Sequence, residues 1–226
     1  MLYEERRVIV RRGGFREYRE LVHGTLWPAL EAAGARPLCL LSGLIGAPAD
    51  ETYLFTGFPD ADAWLRGQRL ITGASPDDGA SDAEHDRRAE LVVEERARLL
   101  VDSGVRPKAE TPASDRRAVY GMRRFWIRPG DWPAFVQHSA TGIWPRIESQ
   151  DARILGLFRD AAVTEPLECV LLTGYHGPAH WEETRATSEA FQRLPGDLRG
   201  GDEQARGGRN AMTLRSYVWL MSAHWA

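Results

Sequence analysis

Long apolar runs are missing from this chain of 226 residues. Nothing approaches the roughly 20 consecutive apolar residues that a membrane-spanning helix needs, so no membrane partner is expected. Cysteine is nearly missing: Cys39 and Cys169 are too few for a disulfide framework or a zinc site, and they read as small buried hydrophobes. No charge of one sign dominates. The net charge is −3, and the arginines are spread among Asp and Glu instead of forming a basic run, which argues against nucleic acid. The opening MLYEERRVIV is charged at once and has no signal-peptide core, so a cytoplasmic location is expected. There is no Walker loop, no GxGxxG after a strand, no GxSxG, no HExxH and no CxxC. Nucleotide, dinucleotide, serine-hydrolase and zinc chemistry lose their usual carriers. His176 and His180 are four apart but span a Gly-Pro turn, which is not metal-ligand spacing. No metal and no cofactor is expected.

What the chain does have is a second copy of itself. YEERRVIVRRGGFREYRELVHGTLWP starts at Tyr3, and YGMRRFWIRPGDWPAFVQHSATGIWP starts at Tyr120, a shift of 120 − 3 = 117. The same shift pairs Arg6 with Arg123, Arg7 with Arg124, Trp27 with Trp144, Glu51 with Glu168, Gly57 with Gly174 and Trp64 with Trp181. Carried on without a gap, it places Arg98 on Arg215 and Val101 on Val218. A tandem duplication follows, with one repeat over 1–103, a linker over 104–117 and a second repeat over 118–226. Each repeat is about 110 residues, enough for a small core. The content of 43% hydrophobic and 27% charged residues is that of a globular domain.

Within the first copy, Leu2–Val10 mixes β-branched and charged residues as a half-buried strand does. Phe15, Tyr18, Leu21 and Val22 have helical spacing, and Trp27-Pro28 interrupts or kinks that helix. Residues 38–45 and Glu51–Phe58 read as a hairpin, and a helix carrying Trp64 follows. The stretch 72–82, rich in Gly, Ser, Asp and Pro, reads as a mobile loop before a short helix at 83–93 and a closing strand at 97–101. The second copy repeats the order: strands at Val119–Ile127, 153–159, 168–175 and 213–222, helices from Trp132 and over 180–191, and a loop at 196–208. The class is α+β, two ferredoxin-like βαββαβ repeats. Such a repeat carries helices on one face of its sheet only, and two repeats packed sheet to sheet within one chain would cover the other faces.

The Tyr3-Glu4-Glu5-Arg6 strand, the Arg128-Pro129-Gly130 turn, the aromatic-rich helix and the hairpin resemble the NIPSNAP family of the dimeric α+β barrel superfamily. The resemblance covers nearly the whole chain, once per copy. Where the family's hairpin often carries a histidine, this chain has Leu54 and Leu171. The resemblance implies a fold and a cleft between sheet and helices. It leaves the reaction open among cofactor-free monooxygenases, isomerases, cyclases, dehydratases and haem enzymes.

Several residues are suited to chemistry. Arg6 and Arg123 lie on one face of their strands and Arg7 and Arg124 on the other; a buried arginine needs a partner, and Glu51 and Glu168 recur in position to supply one. The functional reading makes Arg6 or Arg123 an anchor for an enolate, phenolate or carboxylate. His23 and His138 sit on the first helices at non-equivalent places, as expected if only one cleft kept a job, and either suits general base work. Trp27, Trp144, Trp126 and Trp132 are the candidate walls for a flat apolar ligand, and Trp126, Trp132, Trp219 and Trp225 make the second half the more aromatic. The expected function is a cofactor-independent enzyme acting by acid–base chemistry on a small apolar or aromatic molecule, with His138 and Arg123 favoured over His23 and Arg6. A non-catalytic small-molecule-binding or interaction module is the first alternative. A haem protein with His138 or His180 as axial ligand is the second. Self-association through helices or outer strands is compatible with all three.

Overall fold

A computed structural model describes residues 1–73 and 82–225. The chain divides into two compact units: Met1–Val101 with the residues from Ala223 on, and Asp102–Ser222. The first contains β1 (Leu2–Val10), α1 (Phe15–Leu21), α2 (Trp27–Ala32), β2 (Arg36–Ile45), β3 (Glu51–Phe58), α3 (Ala61–Thr72), α4 (Asp82–Leu91) and β4 (Val92–Asp102). β1 lies between β3 and β4, and β3 pairs with β2, all antiparallel. The second contains β5 (Val119–Ile127), α5 (Trp132–His138), α6 (Trp144–Ser149), β6 (Arg153–Asp160), β7 (Leu167–Tyr175), α7 (Pro178–Glu183), α8 (Glu189–Gln192), α9 (Gly196–Met212) and β8 (Thr213–His224). There β5 lies between β7 and β8, and β7 pairs with β6. Each unit is thus a ferredoxin-like repeat.

Strand alternation sends every second residue under the helices. In the first unit Val8, Val10, Leu40, Leu54 and Phe58 meet Tyr18, Val22, Trp27 and Leu30. In the second, Phe125, Ile127, Cys169 and Leu171 meet Phe135, Ile143, Trp144 and Ala205. Residues 6 and 123 share that alternation and also lie on the helix-covered face. On the opposite parity, Arg7 binds Glu51 at 2.7 Å and Arg124 binds Glu168 at 3.0 Å, so the recurring glutamates partner the second arginine of each pair.

The Trp-Pro pairs do not break their helices. In both units the chain widens into one π turn, Val22–Leu26 and Ser139–Ile143, and continues. The Trp27 N–H reaches the carbonyl of Val22 and the Trp144 N–H that of Ser139, five residues back. The wide turn accommodates the following proline, which has no N–H to donate and whose ring would meet a carbonyl in a regular turn.

Three expectations are corrected. The stretch 196–208 is part of a 17-residue helix, α9. It is held as a helix by close contact with the α5–α6 segment: a Cβ at Gly142 of the facing π turn would come 2.4 Å from that of Ala205 in α9, and one at Gly208 of α9 would come 2.5 Å from the His138 ring. Tertiary contact thus overrides the low helix propensity of glycine. The helix expected at 180–191 is two short ones, α7 and α8, with a turn between them. The uniform shift of 117 also fails in the closing strand. Val10 faces Val92 and Ile127 faces Thr213, so the shift there is 213 − 92 = 121. The loop expected at 72–82 lies for the most part outside the described residues. Residues 102–117 pack on the second unit, with Arg117 buried against the Asp151 carbonyl and Arg106 bound to Glu148.

His224 ends β8 with Nε2 2.8 Å from Ser42 Oγ and its ring against Phe15. Burial, and then the charges of Arg19 and His23, push its pKa down to about 4. An unfolded histidine titrates near about 6.5. Between those values the unfolded chain binds more protons, so stability should fall as the pH drops from about 6.5 to about 4. The ring is half-buried, and after solvent screening the loss should be about 1–2 kcal/mol. His224→Gln should flatten this acid limb in a urea titration at a series of pH values; an unchanged limb would assign it to other groups.

Candidate functional site

A cavity of about 260 Å³ lies between the sheet and helices of the second unit. Its floor is the helix-covered face of three strands: Gly121 and Arg123 of β5, Leu171, Thr173 and Tyr175 of β7, and Val218 of β8. Ile143 of the π turn and Arg146 and Ile147 of α6 cover one side, and Arg206 and Arg209 of α9 the other. Trp181 and residues 184–187 form the rest of the wall. Five arginines and no Asp, Glu or His among the described residues line it.

The arginines are not equally satisfied. Asp202, fully buried, accepts from Arg146 Nε at 2.9 Å and from Arg206 Nη2 at 2.6 Å. Arg185 stacks on Trp181 and reaches exposed Glu182 only at 3.5 Å. Arg209 is buried over the rings of Phe125 and Phe135; among the described residues the one hydrogen bond of its guanidinium is with Ser139 Oγ at 3.4 Å, and its Nε has none. Arg123 has no carboxylate partner among the described residues. Desolvation pushes the Arg209 pKa down to about 9, and the charge of Arg123 adds to the effect. Desolvation also lowers the pKa of Arg123, with Arg185 adding to it. Tyr175, buried beside Arg123, has its pKa raised by desolvation and presents a neutral hydroxyl. Two desolvated cations, of which Arg209 feels only the charge of Asp202 in return, make a site for negative charge over the cavity.

The first unit shows the same place closed. Arg6 Nε donates to Glu4 Oε1 at 2.7 Å, and Arg6 Nη1 donates to Glu95 at 2.6 Å, an acid it shares with Arg88 at 2.6 Å. Trp64 Nε1 and Gln68 Nε2 each donate to Glu4 Oε2 at 2.6 Å. At the shift of 117, Glu4 corresponds to Gly121, Arg6 to Arg123, Trp64 to Trp181 and Gln68 to Arg185. At the closing-strand shift of 121, Arg88 corresponds to Arg209 and Glu95 to Ser216 (88 + 121 and 95 + 121). Both arginines recur in the second copy and both of their acids are gone.

Of the residues singled out in the sequence, Arg123 lines this cavity and His138 does not. The His138 ring lies against Gly208 of α9, among residues that do not line the cavity. Arg6 sits in the closed network, and His23 packs edge-on against Trp27 with both ring nitrogens buried. Trp27 and Trp144 are core residues, and Trp132 packs against the same core as Trp144. Trp126 lies on the opposite face of β5 beside Tyr217, with Arg215 over its ring. The tryptophan at the cavity is Trp181. Neither histidine considered for haem is placed to ligate at the cavity: His180 accepts from the His176 N–H and is bonded through Nε2 to the Gln150 carbonyl, and His138 lies outside it. No helix among the described residues is long and apolar enough to cross a membrane.

No family model and no curated protein matches the chain. Solved structures do. A candidate monooxygenase from Lactobacillus acidophilus NCFM aligns over 98% of this chain and 93% of its own, with TM-score 0.63 and 10% identity. An anthrone oxidase-like protein aligns over 99% and 91%, with TM-score 0.51 and 10% identity. The fold class is therefore that of the dimeric α+β barrel proteins, with two ferredoxin-like repeats in one chain. The NIPSNAP resemblance also appears among solved structures: a NIPSNAP family protein from Agrobacterium tumefaciens str. C58 covers 50% of this chain and 97% of its own, with TM-score 0.36 and 21% identity.

Proposed function

We propose that the second repeat binds a small organic anion with an apolar or aromatic body, and that the chain acts on it as a cofactor-independent enzyme. The observation that carries this reading is the pair of desolvated, poorly compensated cations, Arg123 and Arg209, over a cavity whose other walls include Leu171, Ile143, Ile147, Val218 and Trp181. Fixed positive charge in a poorly solvated site favours the deprotonated form of an enol or phenol. The proton released on binding passes to water at the mouth, near Arg185 and Thr187. An enolate or phenolate held in this way is the reacting form in isomerisation and cyclisation and, with dioxygen as co-reactant, in oxygenation. Tyr175 is the neutral hydroxyl at hand to donate to the same oxygen.

A purely binding role is the second reading. It is favoured by the lining, which offers no carboxylate or imidazole as a separate base among the described residues.

4-Nitrophenol tests the cavity, because its colour reports its ionisation. Bound to the wild type, its pKa should fall by roughly 1–3, as for an acid placed beside arginine. Arg123→Met should abolish most of that change. A pKa equal to that in buffer would remove the proposed site. Product formation from enolisable substrates would then separate catalysis from binding.

A further inference from the structure

The first repeat carries a built-in picture of what the second repeat lacks. The Glu4 carboxylate is buried and held by three donors, Arg6 Nε, Trp64 Nε1 and Gln68 Nε2. In the second repeat the corresponding donors are Arg123, Trp181 and Arg185, and all three line the cavity. The residue that would bring the carboxylate is Gly121, which lines the same cavity. One neutral donor, Gln68, has become a cation. The acid has been deleted while its receptor has been kept and strengthened.

We propose that the ligand of the second repeat carries a carboxylate, and that this group occupies the place that the Glu4 carboxylate takes in the first repeat, between Arg123, Trp181 and Arg185. This rests on the reading of the cavity as an anion site and narrows it to one chemical class and one position. A carboxylate suits this receptor because it has two oxygens to share among the donors, as Glu4 does: Oε1 takes Arg6 and Oε2 takes Trp64 and Gln68. With the carboxylate there, its charge beside Arg123 also offsets that of Arg209, which Arg123 repels, and the apolar body lies along Leu171, Ile143 and Ile147.

The chain can be made to supply its own carboxylate. A Cβ at Gly121 would meet Tyr175 Cε2 at 3.2 Å and Val218 Cγ2 at 3.6 Å, both side-chain atoms that need to yield only slightly. Gly121→Glu should therefore fold and fill the receptor, with Gly121→Gln as the uncharged control of the same size. In thermal denaturation at neutral pH the Glu variant should melt about 2–4 °C above the Gln variant, as expected when a paired carboxylate adds stability to a chain of this length. Benzoate should raise the melting temperature of the wild type, and the Glu variant should bind it about tenfold more weakly or worse. Trp181→Phe, which removes one donor and keeps the ring, should also weaken benzoate. Three results would overturn the assignment: a Glu variant no more stable than the Gln variant or unable to fold when the Gln variant folds, equal benzoate binding by wild type and Glu variant, or benzoate binding indifferent to Trp181→Phe. If the wild type lowers the pKa of 4-nitrophenol but does not bind benzoate, the carboxylate is wrong and the anion cavity stands. If it does neither, both fall.

Discussion

Replacing Arg6 with methionine should destabilise the first unit by about 3 kcal/mol, while Arg123→Met should leave the second unit unchanged or more stable. The two positions are the same strand position in the two repeats, so the contrast isolates the environment. Arg6 is buried between Glu4 and Glu95, and removing it leaves two carboxylates facing an apolar replacement. Breaking a buried pair usually costs about 3–5 kcal/mol. The lower figure applies because Glu4 keeps Trp64 and Gln68, and Glu95 keeps Arg88. Among the described residues Arg123 has no acid to orphan, and its removal relieves a desolvated charge. Urea denaturation followed by tryptophan fluorescence, fitted for two transitions, reads both effects. Equal losses in the two variants would show that the second cleft is compensated after all and would count against an anion site.

The repeat made much of this molecule legible before any coordinates. Tyr3/Tyr120, Gly57/Gly174 and Trp27/Trp144 keep one register because they hold strands and helices that both copies need. The strand boundaries followed from β-branched alternation, and Leu2–Val10, Glu51–Phe58 and Val119–Ile127 form over those spans. α9 was not legible. Gly200, Gly201, Gly207 and Gly208 read locally as a loop, and only the close approach of Gly208 to His138 and of Ala205 to Gly142 shows the stretch as a packed helix. Arg123 was legible as a residue of the helix-covered face from the parity of its strand, and it lines the cavity there. The rest of the site was hidden in differences between the copies. Acid–base chemistry points in the sequence to His138 and His23, and neither lines the cavity. The informative change was a loss, Glu4 to Gly121, beside an arginine present in both copies. The companion loss, Glu95 to Ser216, was masked by the extra four residues before the closing strand, which only the strand pairing reveals.

Arg209→Met should make the unliganded chain more stable near neutral pH, by about 1–3 kcal/mol, since replacing poorly compensated buried charge with a well-packed apolar side chain is often stabilising. Arg209 lies over Phe125 and Phe135, a site that suits methionine. The advantage should depend on pH in a defined direction. In the folded chain the Arg209 pKa is pushed down to about 9, well below its value in the unfolded chain. From about pH 9 upwards the unfolded chain therefore binds more protons at this position than the folded chain, and wild-type stability rises relative to the variant. Below about pH 9 both states carry the charge and the full cost of burying it remains. The gap between variant and wild type should thus be constant near pH 7 and narrow as the pH passes 9. A bound anion should act in the same sense as deprotonation, because it compensates the charge instead of removing it. Benzoate at saturating concentration should raise wild-type stability more than that of the variant and close much of the gap at pH 7. A variant less stable than wild type at pH 7, with a gap indifferent to both pH and anion, would show that Arg209 is held by its ring and hydroxyl contacts as a structural residue. A gap that closes on raising the pH and on adding anion would show a buried charge whose missing partner is the ligand.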